Sequence, residues 1–244
     1  MSVKILLIGS EGRMGKAIQS IAPEYGIEVV AAVDIGQNPA DHIASCDVVV
    51  EFSHKTATAD IVKLAAQHRK PIVIGTTGHS EEERKDILKH ASEIPMVWSG
   101  NYSLGVNLLF YLTSKAAAAL PSEYEPEIVE IHHHFKKDAP SGTAEDLARR
   151  ICAAREWDIG KNKINGRSGM PGERPQAEIG VHALRGGDVV GEHTVYFFGQ
   201  GERIEIKHTA TDRNILAKGA IKATQWIAGR EPGFYEMQDI LGLR

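Results

Sequence analysis

The chain has 244 residues, of which 42% are hydrophobic and 25% charged, with a formal net charge of -4 and no tract of biased composition. A chain of this length buries roughly 70–75% of its extended surface, so it needs no disulfide or structural metal to fold, and it predicts one large domain or two smaller ones. The mild negative charge argues against nucleic-acid binding, and the apolar runs are too short to span a membrane. Two cysteines cannot form a disulfide framework, so we expect a cytoplasmic protein.

The first hundred residues alternate short apolar runs with segments of helical spacing. The apolar runs are residues 3–8, 27–33, 47–52, 71–75 and 95–98, and the helical segments are 10–24, 56–67 and 81–91. Continuously apolar strands separated by helices predict a parallel sheet covered on both faces. The connection 35–45 is near the minimum length for a crossover, so we expect no full helix there.

The pattern changes after Leu104. Helices are predicted at 106–120, 143–155 and 214–227, a strand at 127–133, and a loop at 161–175. The runs "IGVHALRG", "GEHTVYFFG" and "RIEIKHTAT" are spaced like antiparallel strands with glycine turns. We therefore predict an α/β protein with two domains. Residues 1–103, completed by 213–244, form a Rossmann-type parallel-sheet domain, and residues 104–212 form an α+β domain with an open mixed or antiparallel sheet.

A glycine turn, "GSEGRMG", joins the first strand to the first helix. Gly9, Gly12 and Gly15 allow a tight turn and a close backbone approach, so that the helix N-terminus can hold a pyrophosphate. A plain strand–helix turn is the alternative, because such glycine triplets are common. The position at the first strand–helix junction favours dinucleotide binding.

An acidic residue, Asp34, ends the second strand. A carboxylate there can accept hydrogen bonds from ribose hydroxyls, which favours NADH. Arg13, inside the glycine turn, leaves NADPH open. Two further loops, "GTTG" (75–78) and "SGNYS" (99–103), follow strands of the same sheet, and ligands bind at those strand ends. They are either contacts on the nicotinamide side or plain turns.

The stretch "EIHHHFKKDAPSGTAEDL" (130–147) concentrates titratable residues directly before a predicted helix. Metal binding is disfavoured, because His132 and His134 face the opposite side of a strand from His133 and no further ligands complete a set. A solvated strand end and histidines satisfied in the core are the other two alternatives. The functional interpretation is an anion seat: Ser141 or Thr143 caps the helix, and its free N–H groups, with nearby lysine and imidazole, hold a carboxylate. A His or Lys then lies within reach as proton donor.

Taken together, these motifs resemble the 4-hydroxy-tetrahydrodipicolinate reductase (dihydrodipicolinate reductase) family of bacterial lysine and diaminopimelate biosynthesis. The resemblance spans essentially the whole chain and is carried by "GxxGRMG", "GTTG", "NxSxGVN", "EIHHHFKKDAPSGTA", "GDVVGEHTV" and "GFYEMQDIL". Two departures are Glu51, where many members have Asp, and a shorter 35–45 connection.

The resemblance implies NAD(P)H-dependent reduction of a cyclic dicarboxylate and assigns residues to it. It implies that His132 and Lys136 are proton donors, and that His133, Gly142 and Thr143 bind substrate carboxylates, with Ser141 in the same predicted seat. The implied dinucleotide contacts are Gly9, Ser10, Glu11, Gly12, Arg13, Met14, Asp34, Gly75, Thr76, Thr77, Ser99, Gly100, Asn101 and Tyr102. His134 receives no role.

The run "TVYFF" (194–198) carries apolar residues at both parities of the strand alternation. One face of that strand covers the local helices, so the other is predicted to cover a sister subunit. The family resemblance suggests a homotetramer. Two rival functions remain open: another NAD-dependent oxidoreductase on an acidic small molecule, of the aspartate dehydrogenase type, and a non-enzymatic NADH sensor.

Overall fold

The computed structural model describes residues 2–243. The chain divides into two compact units: the first runs up to Leu104 and resumes at Asn214, and the second is Gly105–Arg213. The strands are β1 (Val3–Ile8), β2 (Ile27–Val33), β3 (Val48–Glu51), β4 (Ile72–Ile74), β5 (Pro95–Trp98), β6 (Glu125–His132), β7 (Lys163–Asn165), β8 (Ile179–Arg185), β9 (Gly191–Phe198), β10 (Arg203–Ala210) and β11 (Gly233–Tyr235). The α-helices are α1 (Arg13–Ile21), α2 (Lys55–Gln67), α3 (Glu81–Leu88), α4 (Leu104–Ala119), α5 (Gly142–Arg155), α6 (Ile159–Asn162), α7 (Ile215–Ile227) and α8 (Met237–Ile240).

The first unit is a six-stranded sheet in the order β11-β5-β4-β3-β1-β2, with every pairing parallel. Alternate strand residues enter two cores, one shared with α1 and α7 and the other with α2 and α3. This explains why the strands are apolar at both parities. The predicted α/β class and Rossmann-type sheet are confirmed.

The 35–45 connection contains two short 3-10 turns, Pro39–Asp41 and Ile43–Ser45, in place of a helix. The prediction that this connection contains no full helix is therefore confirmed. Each strand and helix predicted in the first hundred residues is present, with ends that differ by a few residues.

The second unit is a five-stranded mixed sheet in the order β10-β9-β6-β8-β7. Helices α4 and α5 cover one face, where Leu147, Val195 and Phe197 are buried in a single core. The other face carries Tyr196 and Phe198, whose rings stack 5.4 Å apart, and Phe198 is 37% exposed.

The prediction that β8, β9 and β10 pair as consecutive antiparallel strands was wrong for β8, although the three strands do run in alternating directions. Strand β8 pairs in parallel with both β6 and β7, whereas β9 lies antiparallel to β6 and β10. The loop 186–190 crosses the end of β6, where the N–H groups of His133 and His134 donate to the carbonyls of Val189 and Gly187. Strand alternation indicates which residues share a face, but it does not fix which strands are neighbours.

The predicted loop 161–175 was also wrong in part, because it contains the end of α6 and the three-residue strand β7. Strand β11, in the C-terminal segment, was not predicted; it extends the first sheet beside β5, with Phe234 opposite Met96. Among residues 2–243, no helix has the length and apolar character needed to cross a membrane.

Candidate active site

The glycine turn of the first unit packs so closely that side chains are excluded from it. Gly9 has φ +82°, and a Cβ there would lie 2.3 Å from the carbonyl oxygen of Phe52. A Cβ on Gly15 would lie 2.3 Å from the carbonyl oxygen of Gly9. Gly12 is the N-cap of α1 and supplies no side-chain cap. The first N–H groups of α1 therefore have no intrahelical acceptor and no capping oxygen from the N-cap residue.

A cavity of about 530 Å³ opens at the carboxyl ends of the parallel strands. Seven of the predicted dinucleotide residues line it: Gly12, Arg13, Met14, Gly75, Thr76, Thr77 and Gly100. Phe52, Ser53, His54 and Lys55, which follow β3, complete the lining and were not predicted. Open parallel sheets bind their ligands at this edge, so the cavity is a candidate ligand site.

Asp34 lies beside the glycine turn, where its carboxylate braces the backbone. Oδ2 accepts a hydrogen bond from the N–H of Glu11 at 2.8 Å, and Oδ1 accepts one from the N–H of Ile35 at 2.8 Å. The bond from Glu11, followed by that from Ile35, lowers the pKa of Asp34. Since each carboxylate oxygen has a second acceptor position, the group can still accept from a ligand hydroxyl.

The predicted 99–103 loop is held by its own side chains. Ser99 Oγ donates to the carbonyl of Asn101 at 2.7 Å. The side chain of Tyr102 is 2% exposed and donates to the carbonyl of Ile74 at 2.7 Å, so it packs in the core away from solvent. Gly9 and Ser10 are not among the residues that line the cavity, and the ligand contacts assigned to the residues of this loop and to these two stay predictions.

Glu51, noted above as a departure, ties two loops of this edge together. It is fully buried, and Oε1 accepts from the backbone N–H of Ser53 at 2.9 Å and from the hydroxyl of Thr76 at 2.6 Å. Both partners line the cavity. A residue on β3 therefore orders the segments that follow β3 and β4.

In the second unit, two of the three consecutive histidines, His132 and His134, have different hydrogen-bond partners. His132 Nδ1 lies 2.5 Å from Glu130 Oε2, whereas His134 Nδ1 lies 3.0 Å from the carbonyl of Gly187. Within residues 2–243, no group of three or more His, Cys, Asp or Glu side chains converges to hold a metal ion. The rings therefore do not form a common cluster.

Glu130 is the centre of the buried polar network beneath this stretch, and sequence reasoning gave it no role. Its fully buried carboxylate accepts from both terminal nitrogens of Arg185, each at 2.8 Å, and from the N–H of Ser141 at 3.0 Å. Burial alone would raise the pKa of Glu130, but the hydrogen bonds from His132, Arg185 and Ser141 outweigh it and lower the pKa to about 2. The strand alternation could have found part of this network, because Glu130 and His132 share a face of β6.

Helix α5 begins at the predicted place, and the cap is Ser141, one of the two candidates. Ser141 Oγ accepts from the N–H of Ala144 at 3.2 Å and lies 3.0 Å from His193 Nε2. His193 is 4% exposed, and this burial, followed by the charge of His132, lowers the pKa of His193 to about 3. Ser141 is itself buried, whereas Gly142 is exposed at the open end of the helix.

Positive charge gathers beside this helix start. Lys136 Nζ lies 2.9 Å from Asp138 Oδ2, and the lysine side chain is 21% exposed. Burial of the ring, followed by the charges of Arg213, His132 and Lys136, lowers the pKa of His133. Arg213 was not among the predicted residues. The arrangement of cations around a capped helix start is suited to an anionic ligand.

Comparisons with known proteins agree over the full length. The family models described as dihydrodipicolinate reductase N-terminus and C-terminus match residues 3–102 and 105–241. The 4-hydroxy-tetrahydrodipicolinate reductase of Akkermansia muciniphila is 47% identical over 99% of this chain and 98% of its own, and that of Aquifex aeolicus is 45% identical over all of both chains. The structure of dipicolinate-bound dihydrodipicolinate reductase from Paenisporosarcina sp. TG-14 shares the fold, with a TM-score of 0.81 and 23% identity over 98% of this chain and 99% of that one. The chain therefore belongs to the dihydrodipicolinate reductase family.

Proposed function

We propose that the protein reduces 4-hydroxy-tetrahydrodipicolinate to tetrahydrodipicolinate with NADH or NADPH, in lysine and diaminopimelate biosynthesis. The observation that carries this proposal is the group of His132, His133 and Lys136 beside the capped start of α5, in a chain of this family. The curated relatives carry the corresponding name. The direct test is NADH oxidation on addition of freshly generated 4-hydroxy-tetrahydrodipicolinate. Absence of turnover there, together with oxidation of aspartate by NAD, would support the aspartate dehydrogenase alternative.

The first unit is assigned to the cofactor. The close packing at Gly9 and Gly15 and the 530 Å³ cavity fit a dinucleotide, with the N-terminus of α1 facing a pyrophosphate. When bound, the reduced nicotinamide supplies a hydride. Thr76, Thr77 and Gly100 line the part of the cavity formed by the β4 and β5 loops, which supports their assignment as nicotinamide-side contacts.

The second unit is assigned to the substrate. The N-terminal backbone of α5 at Gly142 and Thr143 binds one carboxylate, and His133 contributes to the same group. Negative charge that develops at the substrate ring nitrogen is stabilised by Lys136 and the nearby imidazoles, which also deliver the proton. Ser141, buried beneath the helix start, orders the seat through its cap.

Asp34 is proposed to select the cofactor. Asp34→Ala removes an acceptor for the ribose hydroxyls and also a negative charge that repels a 2′-phosphate. We expect NADH affinity to fall more than NADPH affinity, measured as the two dissociation constants by fluorescence titration. Because Asp34 also braces Glu11, NADPH serves as the internal control for damage to the turn. Equal losses for both cofactors would contradict the ribose assignment.

We further propose that the outer face of the second sheet joins subunits in a homotetramer. Tyr196 and Phe198 lie on the face opposite the helices, together with Leu184, which is 47% exposed. Light scattering at micromolar concentration should give about four times the chain mass of 26.6 kDa, and Phe198→Lys should give smaller species. Ile35→Lys is the control, because Ile35 is 99% exposed in the other unit and should not change the mass. A wild-type mass near that of one chain would contradict the proposal.

Cys46 and Cys152 are both buried free thiols. Free cysteines are typical of a reducing compartment, which supports our proposal of a cytoplasmic location.

A further inference from the structure

Strand β6 carries two buried glutamates on opposite faces, Glu130 and Glu127. Each carboxylate accepts hydrogen bonds from four donor groups, and in both cases these include an arginine fork and a histidine. The two glutamates differ in the residues that they bind. Glu127 binds Arg167, Arg174 and His182, none of which has a predicted role. Glu130 binds His132 and the first residue of the anion seat.

The three other donor groups on Glu130, two Arg185 nitrogens and the Ser141 N–H, determine which nitrogen of His132 carries a proton. An ionised carboxylate has about four acceptor positions and no donor. Arg185 and the Ser141 N–H can only donate, and Oε2 lies 2.5 Å from His132 Nδ1. Nδ1 must therefore carry a proton in both the neutral and the charged ring. The nitrogen that exchanges a proton is Nε2.

Glycine at position 191 keeps that nitrogen clear. Gly191 lies on β9 beside the ring, and a Cβ there would be 3.0 Å from His132 Nε2 and 3.3 Å from Cδ2. Any other side chain would press on the edge of the ring that carries Nε2. The sequence of β9 therefore leaves free the one nitrogen that Glu130 does not occupy.

The Glu130 carboxylate also fixes the segment before α5, which leads into the predicted anion seat. Its bond to the Ser141 N–H ties it to the N-cap of α5, and Arg185, which it anchors, also donates to the carbonyl of Asp138 at 2.7 Å. Asp138 in turn pairs with Lys136. The proton donor, the lysine segment and the helix start thus share one buried anchor.

We propose that Glu130 is a positioning residue: it fixes the proton on Nδ1 of His132 so that Nε2 serves as the donor, and it holds the start of α5 in register with that donor. This inference rests on the proposed function and deepens it. It assigns to Glu130 an effect on catalysis through His132, with no contact to substrate.

The test compares Glu130→Gln with the matched control Glu127→Gln. Glutamine keeps the shape and one acceptor oxygen, which can still accept from the Ser141 N–H, but its amide can donate to Nδ1 and so favour the other tautomer. We expect kcat of Glu130→Gln to fall by about 10²-fold, within the range that a positioned proton donor contributes. Pyridine-2,6-dicarboxylate, a planar analogue of the substrate ring, is expected to compete with substrate. Its inhibition constant and KM should change less than about threefold, because the helix N–H groups that bind the carboxylate remain. Glu127→Gln removes an equally bonded carboxylate and should keep kcat within about threefold of wild type.

A second readout needs no substrate, and its first result comes from the wild-type protein. In protein with ¹⁵N-labelled histidine, the His132 signals are assigned by their loss in His132→Asn. Wild type should show a strongly deshielded proton on Nδ1, as expected for a short bond to a carboxylate. Glu130→Gln should lose that signal, and Glu127→Gln should keep it.

The outcomes separate the two proposals. Wild-type protein that fails to reduce 4-hydroxy-tetrahydrodipicolinate contradicts the proposed function. The Nδ1 signal still tests whether Glu130 fixes the proton of His132. The positioning role is overturned by any of three results: a normal kcat in Glu130→Gln, an equal loss of kcat in Glu127→Gln, or an Nδ1 without a proton in wild type. None of these results contradicts the proposed function. If Glu130→Gln does not fold, the wild-type spectrum alone decides the tautomer.

Discussion

Lys136→Ala is expected to weaken the binding of pyridine-2,6-dicarboxylate about ten- to a hundredfold and to lower turnover further. The inhibitor mimics a flattened substrate ring but cannot accept hydride productively, so its affinity reports the carboxylate contacts alone. Charge-assisted hydrogen bonds are worth roughly 1.5–3 kcal/mol each, which corresponds to the expected loss of affinity. The additional loss in kcat follows because a proton donor is also removed.

Lys137→Ala provides the matched control, since it removes a neighbouring lysine that is exposed. Lys136, in contrast, lies only 21% exposed and paired with Asp138. NADH affinity should stay unchanged in both variants, because the dinucleotide site is assigned to the other unit. Near-normal turnover with intact inhibitor binding in Lys136→Ala would mean that this stretch is a solvated strand end.

The second large effect is on acid stability and comes from His193. Burial lowers the pKa of His193 to about 3, whereas an exposed histidine in the unfolded chain has its ordinary value of 6.5. Between these values the unfolded chain binds a proton that the folded chain does not, so the free energy of unfolding falls as the pH falls. The slope reaches about 1.4 kcal/mol per pH unit for one proton. Below about pH 3 both states are protonated, and this contribution becomes constant.

His193→Gln removes this titration while keeping a nitrogen near Ser141 Oγ. Urea unfolding at pH 7, 6 and 5, at a fixed protein concentration, should give a shallower loss of stability for the variant, by up to about 1.4 kcal/mol per pH unit. Burial also lowers the pKa values of His133 and His208, but these groups are present in both proteins and cancel in the difference. Identical slopes would show that His193 takes up its proton equally in both states.

The parallel sheet could be predicted because its strands are buried on both faces and appear as unbroken apolar runs. Strands β7 and β11 could not, since each has three residues and no residue of either is fully buried. The pairing of β8 with β6 was missed for a different reason. It depends on the loop 186–190 crossing the end of β6, and nothing in the local pattern of β8 encodes that crossing.

The candidate site was predictable where its residues are consecutive and not where they are distant in sequence. The 130–147 stretch supplied His132, Lys136 and the cap at Ser141. Arg185 lies 55 positions from its partner Glu130, and His193 lies 52 positions from its partner Ser141. Only sheet pairing brings these side chains together, through β8 and β9 on either side of β6. The period-2 alternation of β6 was the one available signal for Glu130.

The first unit is assembled from both ends of the chain, and this has a consequence during synthesis. Helix α7 contributes Ala220, Ile221 and Ile227 to the core beneath β1 and β3, and β11 forms an edge of the same sheet. Because a ribosome delivers residues in order, these contributions arrive last. The second unit, Gly105–Arg213, is continuous and leaves the ribosome before them. The first unit, although it begins first, can therefore complete its core only after the second unit has been made.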